Sequence, residues 1–187
     1  ILYSYKEWGE ECVNKLQGMF SFGIWDEDRR RLFVARDRIG IKPLYYCKND
    51  EFFIFASEVK AILASKMITG RLDISALDSV MSIGYVPSPL TMFKDISKLL
   101  PGHTMSIEEN KGLSIRSYWK FNRGKSSGVS FMDAQEKLDE MLRKSVKMRL
   151  MSEVPLGIFL SGGLDSSAIT AIISEVRASD QPVRTFS

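Results

Sequence analysis

Residues 154–169 read VPLGIFLSGGLDSSAI. The apolar run Ile158-Phe159-Leu160 predicts a buried strand, and the small-residue stretch Ser161-Gly162-Gly163-Leu164-Asp165-Ser166-Ser167 predicts a loop. Ala168, Ile169, Ile172, Ile173 and Val176 then fall on one helical face. Strand, glycine-rich loop and helix N-terminus in that order form a geometry that receives anions. The first-turn N–H groups of a helix have no internal acceptor, and the helix dipole adds positive potential there. Adjacent glycines let the backbone approach a ligand with no Cβ in the way. The hydroxyls of Ser161, Ser166 and Ser167 can donate to phosphate oxygens. Asp165 suits an anion site only when a cation accompanies the anion, which points to Mg²⁺ bridging Asp165 and a polyphosphate. The plain alternative is a strand-to-helix turn with a Ser or Asp cap.

The loop has no lysine, so it is not the GxxxxGK[ST] loop of the common nucleotide hydrolases. It resembles the SGGxDS loop of the ATP pyrophosphatases, which cleave ATP between the α and β phosphates. The resemblance implies that Leu160, Ser161, Gly162, Gly163, Leu164, Asp165, Ser166 and Ser167 hold ATP and then pyrophosphate, with Asp165 serving the metal.

Composition excludes several classes. In 187 residues there are one histidine and two cysteines, which leaves no zinc framework and no disulfide scaffold. A reducing cytoplasm is the default expectation for such a chain. The formal charge of +3 is mild, and Arg29-Arg30-Arg31 reads as a solvated turn, so neither a nucleic-acid tail nor a membrane-surface patch is expected. The apolar runs are too short for a membrane span. The chain begins at Ile1 and closes on Val183-Arg184-Thr185-Phe186-Ser187, an apparent second strand, so we expect an internal piece of a longer protein.

Along the chain, Leu2, Tyr5, Trp8, Cys12 and Leu16 recur at helical spacing over residues 1–16, placing Cys12 in a core stripe. GMFSFGIWD, RLFVARD, PLYYC and FFIFAS follow as short aromatic and β-branched strands, expected to be antiparallel neighbours, and residues 58–65 read as a helix. Residues 73–84 predict a short helix capped by Asp73 or Ser75. Residues 103–109 and 113–119 predict a hairpin, and His103 reads as a hydrogen-bonded structural residue. The polar segment 122–130 reads as a linker. Ser130 and Asp133 suggest a capping box for a helix running to about Met151, with Phe131, Leu138, Met141, Leu142, Ser145 and Met148 on one side.

A second resemblance rests on LQGMFSFGIWD, ARDRIGIKPLYY and ASEVKAIL, which look like the later part of a class II glutamine amidotransferase domain. Its most distinctive string is Arg36-Asp37-Arg38-Ile39-Gly40-Ile41-Lys42-Pro43-Leu44-Tyr45, in which Gly40 and Pro43 suit a tight turn and Arg36 and Asp37 read as a buried structural pair. That domain is an αββα sandwich whose nucleophile is a cysteine at the start of the mature chain. Ile1 stands first here, so no glutaminase catalytic residue is carried over. The string from Gly84 to His103 resembles the close of that domain in asparagine synthetases. Amidotransferase-like residues, linker and SGGLDSS loop, in this order, resemble the glutamine-hydrolysing asparagine synthetase family.

The expected fold is therefore α+β followed by α/β: part of an αββα glutaminase sandwich over 1–121, a linker over 122–130, and the start of a parallel-sheet ATP-pyrophosphatase domain over 131–187. The resemblance implies glutamine, aspartate, ATP and Mg²⁺ as substrates and cofactors, and allows a homodimer. It implies an aspartyl-AMP intermediate from which ammonia released from glutamine displaces AMP. Three other readings share these residues: an amidotransferase acting on a different carboxylate, a β-lactam synthetase, and a truncated product that binds only a nucleotide or a partner.

Overall fold

The computed structural model describes residues 1–109, 111–122, 124, 128–152, 154–177 and 183–187. The chain divides into two units, Ile1–Asn122 and Arg123–Ser187. Of the expected linker 122–130, residues 123 and 125–127 lie outside the described residues.

The first unit is built on two antiparallel sheets. Strands β1 (Ser21–Asp26), β2 (Arg31–Arg36), β6 (His103–Glu108) and β7 (Gly112–Ser117) form one, in the order β1-β2-β6-β7. Strands β3 (Tyr45–Lys48), β4 (Phe53–Ala56) and β5 (Ser97–Lys98) form the other, in the order β4-β3-β5. The helices are α1 (Leu2–Trp8), α2 (Cys12–Lys15), α3 (Val59–Ala64) and α4 (Ile74–Ile83).

Alternation of side chains along the strands sorts the core into three layers of contact. In β2, Phe33 and Ala35 point outward to Cys12, Val13 and Tyr5 of the first helices. Val34 and Leu32 point the other way, into a cluster with Leu44, Leu99 and Met105 that also takes Tyr46 and Phe53 from the second sheet. On that sheet's far side Cys47, Ile54 and Ala56 pack on Ile62 and Leu63 of α3. Helix, sheet, sheet, helix is thus read from which residues touch. Each fully buried large side chain in these layers, such as Phe33 or Met105, contributes about 1.5–3 kcal/mol.

The turn between β2 and β3 carries the chain from one sheet to the other, which corrects the expectation that the four consecutive strands are all neighbours. β1 pairs β2, and β3 pairs β4, both antiparallel, but β2 takes β6 as its second partner. Arg36 and Asp37 anchor this crossover without forming a pair with each other. Asp37 accepts backbone N–H groups from Ile39, Gly40 and Ile41 on Oδ1 and from Lys42 on Oδ2, at 2.7–3.2 Å. Arg36 donates to the carbonyls of Lys42, Gly40 and Leu99. Gly40 has φ +73°, and a Cβ there would lie 2.7 Å from Pro101 Cγ. The Tyr118 hydroxyl donates to the Arg36 carbonyl at 2.8 Å, and burial pushes its pKa up to about 12, so it remains a donor at any ordinary pH.

The first sixteen residues are not one helix. Gly9, at φ 57°, breaks the pattern, and a 3₁₀ turn (Gly9–Glu11) restarts it out of phase. Leu2 stays 71% exposed and Trp8 48%, while Cys12 and Val13 are buried. The helix expected over 73–84 is α4, capped by Asp73, which accepts from the Ser75 N–H, and closed by Gly84 in the left-handed region. The expected hairpin is β6–β7; its turn residue Asn110 lies outside the described residues.

In the second unit, α5 (Phe131–Arg149) is followed by β8 (Gly157–Phe159), α6 (Leu164–Val176) and β9 (Arg184–Phe186). Ser130 caps α5 by accepting the Asp133 N–H at 3.2 Å. Asp133 answers the Ser130 hydroxyl at 2.8 Å, not the Ser130 backbone, so the capping box is closed by side chains. α5 stops at Arg149, short of Met151; the apolar residues of the expected side, Phe131, Leu138, Met141, Leu142 and Met148, are exposed, and the buried residue of the helix is Val146, outside that set. β8 and β9 pair in parallel, Ile158 opposite Thr185, with α6 as the crossover. No helix among the described residues is long and apolar enough to cross a membrane.

Candidate functional site

The predicted loop lies where β8 ends and α6 begins. β8 is held to β9, and the ladder continues through the Leu160 N–H, which donates to the Phe186 carbonyl at 2.8 Å. That bond fixes the last residue before Ser161. Gly162 follows at φ +78°, a conformation that turns the chain sharply and that L side chains rarely adopt. Gly163 is the N-cap of α6, at φ −78° and ψ 163°.

Gly163 offers no side chain to cap the helix. The first intrahelical bond runs from the Ser167 N–H to the Gly163 carbonyl at 3.1 Å. The N–H groups of Leu164, Asp165 and Ser166 therefore precede the ladder and have no intrahelical acceptor. They sit at the positive end of a thirteen-residue helix dipole. A Cβ built at Gly162 would meet nothing within 4 Å, and one built at Gly163 would meet only Ser161 Oγ, at 3.6 Å. The space above the two glycines is open to a ligand.

The hydroxyls divide into two groups. Ser161 Oγ and Ser166 Oγ are 3.2 Å apart, and Ser166 Oγ donates to the Gly163 carbonyl at 3.1 Å. Among the described residues, the Ser167 hydroxyl makes no hydrogen bond and stays exposed. The Asp165 carboxylate is also exposed in the first turn of α6, in no salt bridge among the described residues. The structure thus brings Leu160 to Ser167 into one turn, with donors and a single carboxylate at its rim.

Arg149 lines a cavity of about 330 Å³ with Leu150, Leu156, Ile158, Arg177 and Val183, and donates to its own helix at the Ser145 carbonyl. Arg143 of α5 donates to Asp139 of its own helix at 2.7 Å and to Glu175 of α6 at 2.5 Å.

In the first unit, Cys12 and Cys47 are buried, and burial pushes both thiols up, away from the thiolate that a nucleophile needs. His103 Nδ1 lies 2.7 Å from the Pro101 carbonyl, a structural contact. What sequence reasoning did not find is the Asp37 cluster of four N–H groups. Its only signal is the Asp-x-x-Gly spacing before a proline, which marks a turn without saying that the carboxylate is buried.

Comparison with known proteins assigns a class to each part of the chain. Residues 1–119 match the family model of the glutamine amidotransferase domain, and residues 137–187 match that of asparagine synthase. Asparagine synthetase (glutamine-hydrolysing) 3 of Bacillus subtilis is 42% identical, over 100% of this chain and 31% of that protein. Asparagine synthetase (glutamine-hydrolysing) 1 of the same organism is 34% identical, over 100% of this chain and 29% of that protein. The chain belongs to the glutamine amidotransferase domain family through residues 1–119, and along its whole length it is similar to glutamine-hydrolysing asparagine synthetases. It spans about a third of the length of these relatives. Among solved structures, a Bacillus subtilis glutamine phosphoribosylpyrophosphate amidotransferase aligns over 97% of this chain and 34% of that chain, with 16% identity and a TM-score of 0.39, too low to bear on the fold.

Proposed function

We propose that this chain takes part in glutamine-dependent asparagine synthesis, with residues 1–121 in a glutaminase domain and 131–187 opening an ATP-pyrophosphatase domain. The observation that carries the reading is the SGGLDSS turn, whose free N–H groups at the start of α6 face open space beside two glycines. The likeness to asparagine synthetases along the whole chain supports the choice of reaction within that class.

In the proposed reaction, the glutamine side-chain amide is hydrolysed to glutamate and ammonia. The aspartate side-chain carboxylate attacks the α-phosphorus of ATP, forming aspartyl-AMP and expelling pyrophosphate. Ammonia then displaces AMP to give asparagine. The work of the loop is electrostatic: the N–H groups of Leu164, Asp165 and Ser166 and the Ser167 hydroxyl receive charge that grows on the β and γ phosphates as the bond to the α phosphorus breaks. Asp165 supplies one oxygen toward a divalent cation. Because Mg²⁺ commonly keeps several waters and takes phosphate oxygens as ligands, one carboxylate is a sufficient protein contribution. Bound there, Mg²⁺ neutralises phosphate charge.

The test uses the full-length protein with ATP, Mg²⁺, aspartate and either glutamine or ammonia. Asparagine and pyrophosphate should form in equal amounts with either nitrogen source. Asp165→Asn should abolish both products while glutamine hydrolysis persists. Loss of glutamine hydrolysis along with synthesis would assign Asp165 a structural role. Pyrophosphate release driven by another carboxylate and not by aspartate would replace the acceptor.

A further inference from the structure

We infer that residues 74–90, α4 and the proline turn after it, form a latched strap that covers the outer edge of β5 and opens as one unit about a fixed neck. The neck is antiparallel. Leu72 bridges Phe93, the Asp73 N–H donates to the Met92 carbonyl at 3.0 Å, and the Lys94 N–H donates to the Arg71 carbonyl at 2.8 Å. Arg71 also reaches the Asp95 carboxylate at 2.8 Å. Phe93 packs against the cluster of Cys47, Ile62 and Ile96, and the Thr91 hydroxyl donates to the Ile96 carbonyl at 2.8 Å. The neck is thus fastened to the core on its returning side.

The strap itself is lightly packed. Its one buried residue is Ala76. Its large apolar side chains turn outward: Ile74, Leu77 and Met81, three and four residues apart on α4, are exposed, as are Ile83 and Tyr85. A segment that buries so little apolar area opens at a lower free energy than the core does. What holds it down is Lys98 of β5. The Lys98 N–H donates to the Pro89 carbonyl and its ammonium to the Val86 carbonyl, both at 2.7 Å. The ammonium bond is charge-assisted, and Lys98 makes no salt bridge among the described residues. The next N–H along, that of Leu99, points the other way and donates to the Leu44 carbonyl at 3.0 Å. β5 is the end strand in the order β4-β3-β5, so its outward N–H has no strand to receive it. The strap supplies that acceptor, and Pro87 and Pro89 bring no N–H of their own to the edge.

The experiment is hydrogen exchange on the full-length protein, followed amide by amide. The adjacent amides of Lys98 and Leu99 report separately, the first on the strap and the second on the sheet. The amides of α4 and of Lys98 should exchange at one shared rate, about ten-fold or more faster than those of Leu99, Lys94 and β2. Lys98→Met should speed exchange across α4 by about a further ten-fold, the loss of one charge-assisted bond, and leave Leu99 and β2 unchanged. Strap amides as slow as those of β2, or a Lys98 amide that follows Leu99 and not α4, would overturn the inference in the unsubstituted protein, whether or not the variant folds. An unchanged α4 rate in folded Lys98→Met would overturn it by removing the latch.

Discussion

Asp37 shows how much one side chain can organise. It is 1% exposed, yet it stays charged because four backbone N–H groups converge on it. Burial pushes its pKa up, the N–H groups of Lys42, Ile41, Gly40 and Ile39 pull it down, and the net direction is below the ordinary aspartate value. The folded pKa is depressed, so the stabilisation is fully present above the unfolded value near 3.9 and is lost as pH falls through the folded value. Asp37→Asn should cost about 2–4 kcal/mol at neutral pH, because its amide group turns N–H toward N–H. Denaturant titrations of both proteins should show this gap narrowing in acid; a gap independent of pH would remove the charged carboxylate from the account. The two loop glycines separate in the same way. Gly162 needs φ +78°, so Gly162→Ala should lower stability by about 1 kcal/mol or more. Gly163 has an ordinary φ and only Ser161 Oγ near its Cβ position, so Gly163→Val should fold and lose Mg²⁺–pyrophosphate affinity. A lowered melting temperature with intact affinity for Gly163→Val would reduce the loop to a turn.

Elements in the first unit meet through a few close contacts. A Cβ built at Gly23 in β1 would lie 2.6 Å from Phe55 Cζ of β4, so the ring reaches from one sheet to the backbone of the other. Gly23→Ala should destabilise by about 1–3 kcal/mol. In Phe55→Leu the ring is gone, and the same change at 23 should then cost little. Equal costs in both backgrounds, measured by denaturant midpoint, would mean that the sheets do not touch there. Strand identities were legible because β2 alternates strictly: Leu32 and Val34 face one way, Phe33 and Ala35 the other. Partner choice was not. Nothing local in RLFVAR says that its second neighbour is His103–Glu108, about seventy residues on, and not the strand that follows it. Helix phase was also hidden at the N-terminus, because a single glycine can reset the register that periodicity assumes.

At the scale of the molecule, the division near residue 122 separates a sandwich from a strand–helix–strand unit. Limited proteolysis should cut first within residues 122–130 and leave a fragment near residues 1–121 resistant, because the segments on either side are hydrogen-bonded into sheets and helices. First cleavage inside the β2–β3 crossover would contradict the anchoring by Arg36 and Asp37. The sequence by itself determined the order of parts, the existence of most elements, and the placing of Leu160 to Ser167 between a strand and a helix, because those features depend on local periodicity and on residues with special backbone freedom. Tertiary structure alone decided which strands share a sheet and that Asp37 is buried under four N–H groups. The strand pairings depend on contacts between residues far apart in the chain, which leave no local mark in the residue pattern; the turn at Asp37 is local and marked by its Asp-x-x-Gly spacing, but the burial of its carboxylate is not.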